Sequence, residues 1–306
     1  DAYLQYEYSP IKSLNFLPGV RWEHHDAFGN TVNPSVNIMY APSDGFKLRG
    51  FVGRGFRAPS LKQQYFIFDH VAAGYIVYGA SAPLPTDVAS GSGSTYRPLQ
   101  AEHSINSSIS AEFSSGSIGM HRLTYYYNHL QDLIDFTLIG FTPTYWRGVY
   151  VYQNISSALT EGVEWESRFR LSKSFDCSFS YNYLRSRDLS TGLELVNRPD
   201  HTVKFFFTAH NDRRGIGATL WGSYESPKLW VPITNTGGNE GTGPEYAPHR
   251  ATINVNVFKK FSDGVEAFAR VENVLNQVNI TYGYWPKIQV YAGFKYNLNL
   301  GSTSAQ

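Results

Sequence analysis

This chain has a single cysteine, Cys177, in 306 residues. No intrachain disulfide can form, and cysteine alone cannot build a metal site. No run approaches the ~18 consecutive apolar residues of a membrane-crossing helix, so that mode of crossing a bilayer is excluded. Charge is scarce too, 17% against about a quarter in soluble domains. The net charge of +1 offers neither the basic field that draws nucleic acid nor an acidic surface. P-loop, nucleophile elbow, HExxH and CxxC are all missing, as are heptads and solenoid periods. Nothing supports an enzyme. A signal peptide is also missing: Asp1 to Tyr6 reads as a strand already under way, as expected of a piece of something longer.

What the chain does have is aromatic residues, 16% of the total, and alternation. About thirteen segments of period-two pattern follow one another. Short turns are expected near Ser9-Pro10, Ser43-Asp44-Gly45, Ser114-Ser115-Gly116, Ser172-Lys173, Asp212-Arg213-Arg214 and Ser262-Asp263-Gly264. Long connections are expected near 26–33, 58–98, 138–148, 189–197, 231–248 and 278–285. Short and long alternate strictly. A soluble sandwich has no reason to keep such parity, whereas a membrane barrel does, with short periplasmic turns and longer extracellular loops.

The faces say the same. In 287–298, Ile288, Val290, Ala292, Phe294, Tyr296 and Leu298 alternate with Lys287, Gln289, Lys295 and Asn297. In 174–183, Phe175, Cys177, Phe179, Tyr181 and Tyr183 alternate with Ser174, Asp176, Ser178, Ser180 and Asn182. Ile253, Val255 and Val257 oppose Thr252, Asn254 and Asn256, and Val163, Trp165 and Phe169 oppose Glu164, Glu166, Arg168 and Arg170. Such a charged face cannot fill a soluble core, but it suits a wide polar lumen behind an apolar outer wall. The fold expected is therefore all-β, a transmembrane antiparallel β-barrel. The first segment descends to the periplasm and so does the last. An odd number of strands cannot close a barrel of this class, so part of the wall lies elsewhere.

Five motifs carry a family resemblance. Gly53-Arg54-Gly55-Phe56-Arg57-Ala58-Pro59-Ser60-Leu61-Lys62 resembles the "FRAP" segment of TonB-dependent outer-membrane receptors. Leu99-Gln100-Ala101-Glu102-His103-Ser104 resembles their "NPxLxPExS" segment, and Asn154, Ala158, Gly162 and Glu164 their "NxxxAxxxGxE" strand. Arg198-Pro199-Asp200-His201 is similar to "RPxH", and Glu272-Asn273-Val274-Leu275-Asn276 to the "xNLxx" near the penultimate strand. Two departures stand out: Tyr96-Arg97-Pro98-Leu99 lacks the "NPxL" asparagine, and residues 299–306 follow the last good strand where the family ends on an aromatic residue.

The resemblance implies the carboxy-terminal portion of a plugged barrel of about 22 strands. Residues 1–298 would be partial barrel without the plug domain, and 299–306 a tail. It further implies the bacterial outer membrane and uptake of a scarce metal chelate: ferric siderophore, haem or cobalamin. No cofactor would be held permanently. The implied partners are outer-membrane lipid, the TonB complex acting through a plug outside these residues, the chelate, and a surface lipoprotein, with no nucleic acid. Without plug and remaining wall, these residues alone are expected not to transport.

His70 lies between the "FRAP" and "LxxExS" segments, where haem receptors of the family carry an axial histidine, and neutral imidazole ligates haem iron well. Tyr65, Tyr75 and Tyr78 could cover a porphyrin face; the plainer reading makes His70 an exposed loop residue. His70 is a metal ligand only if the cargo is haem. Adjacent His24 and His25 face opposite sides of a strand and are not expected to share an ion. Glu164 and Glu166 read as lumen wall. The glycine-rich stretch 237–245 lacks the spaced ligands of a calcium loop. Phe56, Arg57, Ala58, Pro59, Glu102, Asn154, Gly162, Glu164 and Asn273 are motif positions with structural roles. The rival function is a non-transporting outer-membrane barrel, either an adhesion or docking surface or a porin. An upstream plug and TonB-contacting segment in the reading frame would decide for uptake, and a soluble sandwich would show itself by detergent-free solubility.

Overall fold

The computed structural model describes residues 1–71, 74–84, 89–90, 98–116, 119–143, 147–230, 245–262, 264–282 and 285–296. In chain order the elements are β1 (Ala2–Gln5), β2 (Tyr8–Ile11), β3 (Leu14–His25), β4 (Gly29–Ser43) and β5 (Phe46–Arg57). Then come α1 (Leu61–Tyr65), β6 (Ile67–His70), β7 (Tyr75–Tyr78), β8 (Ala89–Ser90), β9 (Glu102–Ser115) and β10 (Gly119–Phe141). They are followed by β11 (Gly148–Ser172), β12 (Phe175–Asp188), β13 (His201–Asn211), β14 (Ile216–Glu225), β15 (Lys228–Trp230) and β16 (Glu245–Ala247). β17 (Arg250–Ser262), β18 (Val265–Glu272) and β19 (Gln289–Tyr296) complete the described chain.

β1 and β2 are two pieces of one crossing, broken at Tyr6-Glu7, and both pair with β3. From there the wall is a plain antiparallel meander through β4, β5, β9, β10, β11, β12, β13, β14, β17, β18 and β19. That makes thirteen crossings, with the wall open rather than closed.

Register explains the two faces. Trp165 stands between Leu123 and Tyr181, and Val255 between Leu220 and Val271, so apolar residues continue from strand to strand along one face. Large side chains on that face are exposed, Leu123 at 53%, Ile105 at 54% and Phe294 at 81%. Apolar surface left in water costs about 25 cal/mol per Å², and hydrocarbon removes that cost. Towards the long-loop end the same face passes Tyr127 and Tyr183, then turns ionic: Glu161 accepts from Arg185 (3.1 Å) and from the Tyr125 hydroxyl (3.2 Å). Rings followed by charges mark a membrane interface.

The other face is polar. Buried Glu112 accepts from Arg49 and Arg122, both at 2.9 Å, with Lys47 at 3.7 Å, and Arg122 reaches Glu166 at 3.5 Å. One carboxylate thus ties β5, β9 and β10 together and, through Arg122, β11. Glu164 is exposed on this face, as expected of lumen wall. Phe206 and Trp221 also sit here, opposite each other, an aromatic departure from an otherwise polar surface.

Several connections differ from expectation. The 26–33 loop is a three-residue turn, because β3 and β4 stay paired up to His25↔Gly29. Strict length parity fails there. Beyond the hydrocarbon a strand has no need of an apolar outer row, so the alternation that reveals it fades while the ladder continues. The first turn falls at Lys12-Ser13, not Ser9-Pro10, and Pro10 lies in β2 at a register shift, an edge position where a missing N–H is tolerated. The 138–148 connection shrinks to 142–147 between β10 and β11. The 58–98 connection is organised, containing α1, β6, β7 and β8. Asp263, residues 91–97 (with Tyr96 and Arg97 of the departed motif), 237–244, Asn297, Leu298 and the 299–306 tail lie outside the described residues.

The face assignment makes Val255→Arg far more damaging than Asn254→Arg. The outward charge costs about 2–4 kcal/mol at mid-bilayer, and the difference is read as folded fraction in liposomes under urea. For orientation, a membrane-impermeant maleimide added to intact cells should modify Thr191→Cys and spare Asp44→Cys; the reverse pattern would invert the barrel.

Candidate functional site

The longest connection, between β5 and β9, is built at the long-loop end of the wall. Ser60 caps α1: its hydroxyl accepts from the Gln63 amide (3.3 Å), and the Gln63 side chain returns to the Ser60 amide (2.9 Å). This capping box starts a helix of one turn immediately after Pro59. The chain then forms a β6–β7 hairpin with His70 opposite Tyr75, turning at Gly74 with φ +67°. Gly79 passes so close to α1 that a Cβ there would lie 2.5 Å from the Tyr65 amide nitrogen.

β7 then adds in parallel to the upper end of β11, Tyr75 against Gly148 through Tyr78 against Val151. The edge is available because β12 pairs with β11 only as far as Ala158. Arg147 holds the hairpin by a two-pronged contact with Asp69 (2.7 and 2.9 Å). Ile76, Tyr78 and Ala82 bury themselves with Val149 and Val151, while Ala80, Leu99 and Ile134 form a second small core against Tyr152.

The motif residues prove to be hubs of this construction. Arg57 forks onto Glu102, whose other bond is to the Ile134 amide (2.8 Å). Asn154 clasps Gln100, accepting from its amide (2.7 Å) and donating to its carbonyl (3.0 Å). The Pro59 carbonyl accepts from the Gln64 side chain (3.1 Å), and Ala58 links Arg57 to it. Phe56 lies against His103, ring centres 5.6 Å apart. Gly162 makes room for Tyr126, since a Cβ would lie 2.5 Å from that hydroxyl. Buried Asn273 adopts φ +51° and donates to the carbonyls of Pro286 (2.7 Å) and Gln277 (3.2 Å), shaping the last loop.

Of the four sequence-derived candidates, two come together. His70 stacks on Tyr75 at 5.2 Å. Tyr65 projects from α1, 59% exposed, and Tyr78 is buried on the opposite face of β7. The rings that do extend the His70–Tyr75 pair were missed by sequence reasoning. Phe68 lies 5.8 Å from His70; Tyr75 meets Tyr150 edge-on at 6.0 Å; Tyr150 meets Phe136 at 5.7 Å, and Phe136 meets Tyr152 at 6.0 Å. Tyr150 and Tyr152, at i and i+2, carried a strand signal, but the 138–148 loop expectation hid that β10 and β11 extend far enough to carry a ligand surface.

A second group of loops interlocks beside it. The β15–β16 hairpin receives the Asn197 amide at Leu229 (2.9 Å), and Trp230 meets Tyr282 edge-on. Tyr246 donates to Glu194 (3.1 Å), and that bond to a carboxylate raises the phenol above its ordinary pKa. His24 and His25 face different sides, the first on Asn30 (3.0 Å), the second against Phe28. Among the described residues no group of three or more His, Cys, Asp or Glu is placed to hold a metal ion.

Residues 1–274 match the family described as "TonB dependent receptor-like, beta-barrel". The probable TonB-dependent siderophore receptor PirA of Acinetobacter baumannii is 25% identical over 97% of this chain and 42% of its own length. The ferrienterobactin receptor of Escherichia coli K12 is 27% identical over 74% of this chain and 30% of its own. Among solved structures, the Acinetobacter PirA superposes with a TM-score of 0.74 at 18% identity, covering 96% of this chain and 45% of that one. The copper transporter OprC reaches 0.69 at 12% identity, with 96% and 47% covered. The chain spans less than half the length of these relatives. A meander of thirteen crossings, an apolar outer face, a polar inner one and the family match lead to one conclusion: the chain belongs to the TonB-dependent receptor β-barrel family and is part of a bacterial outer-membrane protein.

Proposed function

We propose that the chain supplies the cargo-facing wall and one mouth loop of a receptor that takes up a ferric siderophore by TonB-dependent transport. The observation that carries this reading is the aromatic row Phe68–His70–Tyr75–Tyr150–Phe136–Tyr152. Six rings held by main-chain ladders and the Arg147–Asp69 clamp form a fixed surface at the mouth. Rigid rings bind flat conjugated groups at little entropic cost, as in the catecholate arms of a siderophore. The resemblance to siderophore receptors supports the same cargo class. Energy would come from the TonB complex through a plug contributed by the rest of the receptor. Haem is the second reading, because His70 stands at one end of the row.

Binding of ferric enterobactin and of haem to the full-length receptor, followed by intrinsic fluorescence quenching, tests both. Aromatic contacts are worth about 0.5–1.5 kcal/mol each, so Phe136→Ala with Tyr150→Ala should weaken siderophore binding roughly tenfold or more. Unchanged affinity in that double variant would remove the row from the binding site. His70→Ala separates the cargoes: it should leave siderophore binding within about threefold, whereas a haem receptor would lose its Soret-band shift.

A further inference from the structure

The ladder between β4 and β5 stops at Ser35↔Gly53. Yet β4 continues upward with β3 as far as Gly29, and β5 with β9 as far as Arg57. Pro34 stands where the ladder ends, and having no N–H it cannot extend it. Above it the strands part around a cavity of about 670 Å³, lined among others by Asn30, Val32, Arg54, Phe56, Gln100 and His103. The main-chain groups that β4 and β5 would have offered each other there have no ladder partner.

Arg54, Phe56 and His103 lie on the lipid-facing row, in register with Ile105 and two positions above Val52. Trp22, on the same face, pairs with Val32, and an indole there marks this stretch of the wall as the interfacial band between hydrocarbon and headgroups. Several other wall arginines have a carboxylate: Arg57 has Glu102, Arg49 and Arg122 share Glu112, and Arg185 has Glu161. Among the described residues Arg54 forms no ion pair; its guanidinium has the His103 ring nitrogen at 3.4 Å. A guanidinium at this boundary, beside a second nitrogen donor and unladdered amides, is complementary to a phosphate.

We infer that the notch between β4 and β5 holds the phosphate of an outer-leaflet lipid headgroup. Arg54 is its main ligand, His103 and Asn30 are further donors, and the acyl chains descend from the phosphate past Val52 and its partner Val36. The site is independent of the cargo surface.

The test uses the intact receptor in phosphate-free maltoside micelles, with native mass spectrometry counting bound bisphosphorylated glucosamine lipid. The wild type should retain this lipid, and Arg54→Gln should bind it about tenfold more weakly. Phosphatase-treated lipid should bind the wild type as poorly, Arg54→Lys should recover part of the affinity, and Arg185→Gln should stay within about twofold. Retention by a heat-modifiable, folded Arg54→Gln at the wild-type level would overturn the proposal, as would equal binding of the phosphate-stripped lipid. If Arg54→Gln does not fold, His103→Gln is measured in its place, with several-fold weakening expected and none counting against the site. Displacement of the lipid by millimolar inorganic phosphate would mean a free-phosphate site and defeat the lipid assignment.

Discussion

Everything in this molecule follows from the main-chain hydrogen bond in a medium that offers no substitute for it. In hydrocarbon an unpaired N–H or C=O costs several kcal/mol, so every strand must be laddered on both sides along the depth of the bilayer. The meander meets that demand with neighbours in sequence, from β3 through β18, over registers that run unbroken for most of each strand. Side chains need only sort themselves by side. That is why the outer row tolerates Val, Leu, Phe or Trp almost interchangeably, while the inner row is free to carry Glu112 and its three cations.

The constraint relaxes above the bilayer, and structural variety collects there. β10 and β11 run on past their neighbours, β7 joins β11 from a distant part of the chain, and β4 and β5 part company at Pro34. Each departure would be prohibitive in lipid and is cheap in water. The cargo surface and the notch are both products of this freedom, one by adding a strand to a vacant edge and the other by withholding a ladder.

Legibility in the sequence followed the same boundary. Where the strand lies in lipid, alternation is enforced, and 174–183 or 252–258 could be assigned to faces residue by residue. Where it rises clear, polar residues run together as at Asn30-Thr31 or apolar ones as at Leu138–Phe141, alternation is lost, and the ladder is invisible to a period-two reading. His70 and Tyr75 were found because a family motif bracketed them, but Tyr150, about 75 residues further on, joins them through a parallel pairing that no local pattern encodes, and Phe136 follows through the β10–β11 ladder. The motif residues themselves, Arg57, Glu102 and Asn154, were visible as motifs without their purpose, which is to anchor the crossing loop to the wall.

The parallel pairing of β7 with β11 also imposes a timetable. Residues 75–78 emerge well before 148–151, yet the edge they need exists only once β10 and β11 have formed. The segment between β5 and β9 must therefore wait, unlatched, while three later crossings, β9 to β11, are laid down, and only then swing across the mouth to be closed by Arg147 on Asp69. Distant pairings of this kind are slow because the intervening chain must be ordered first. The mouth loop is thus set in place only after β11, so a complete binding surface is itself a sign that the wall beneath it has formed.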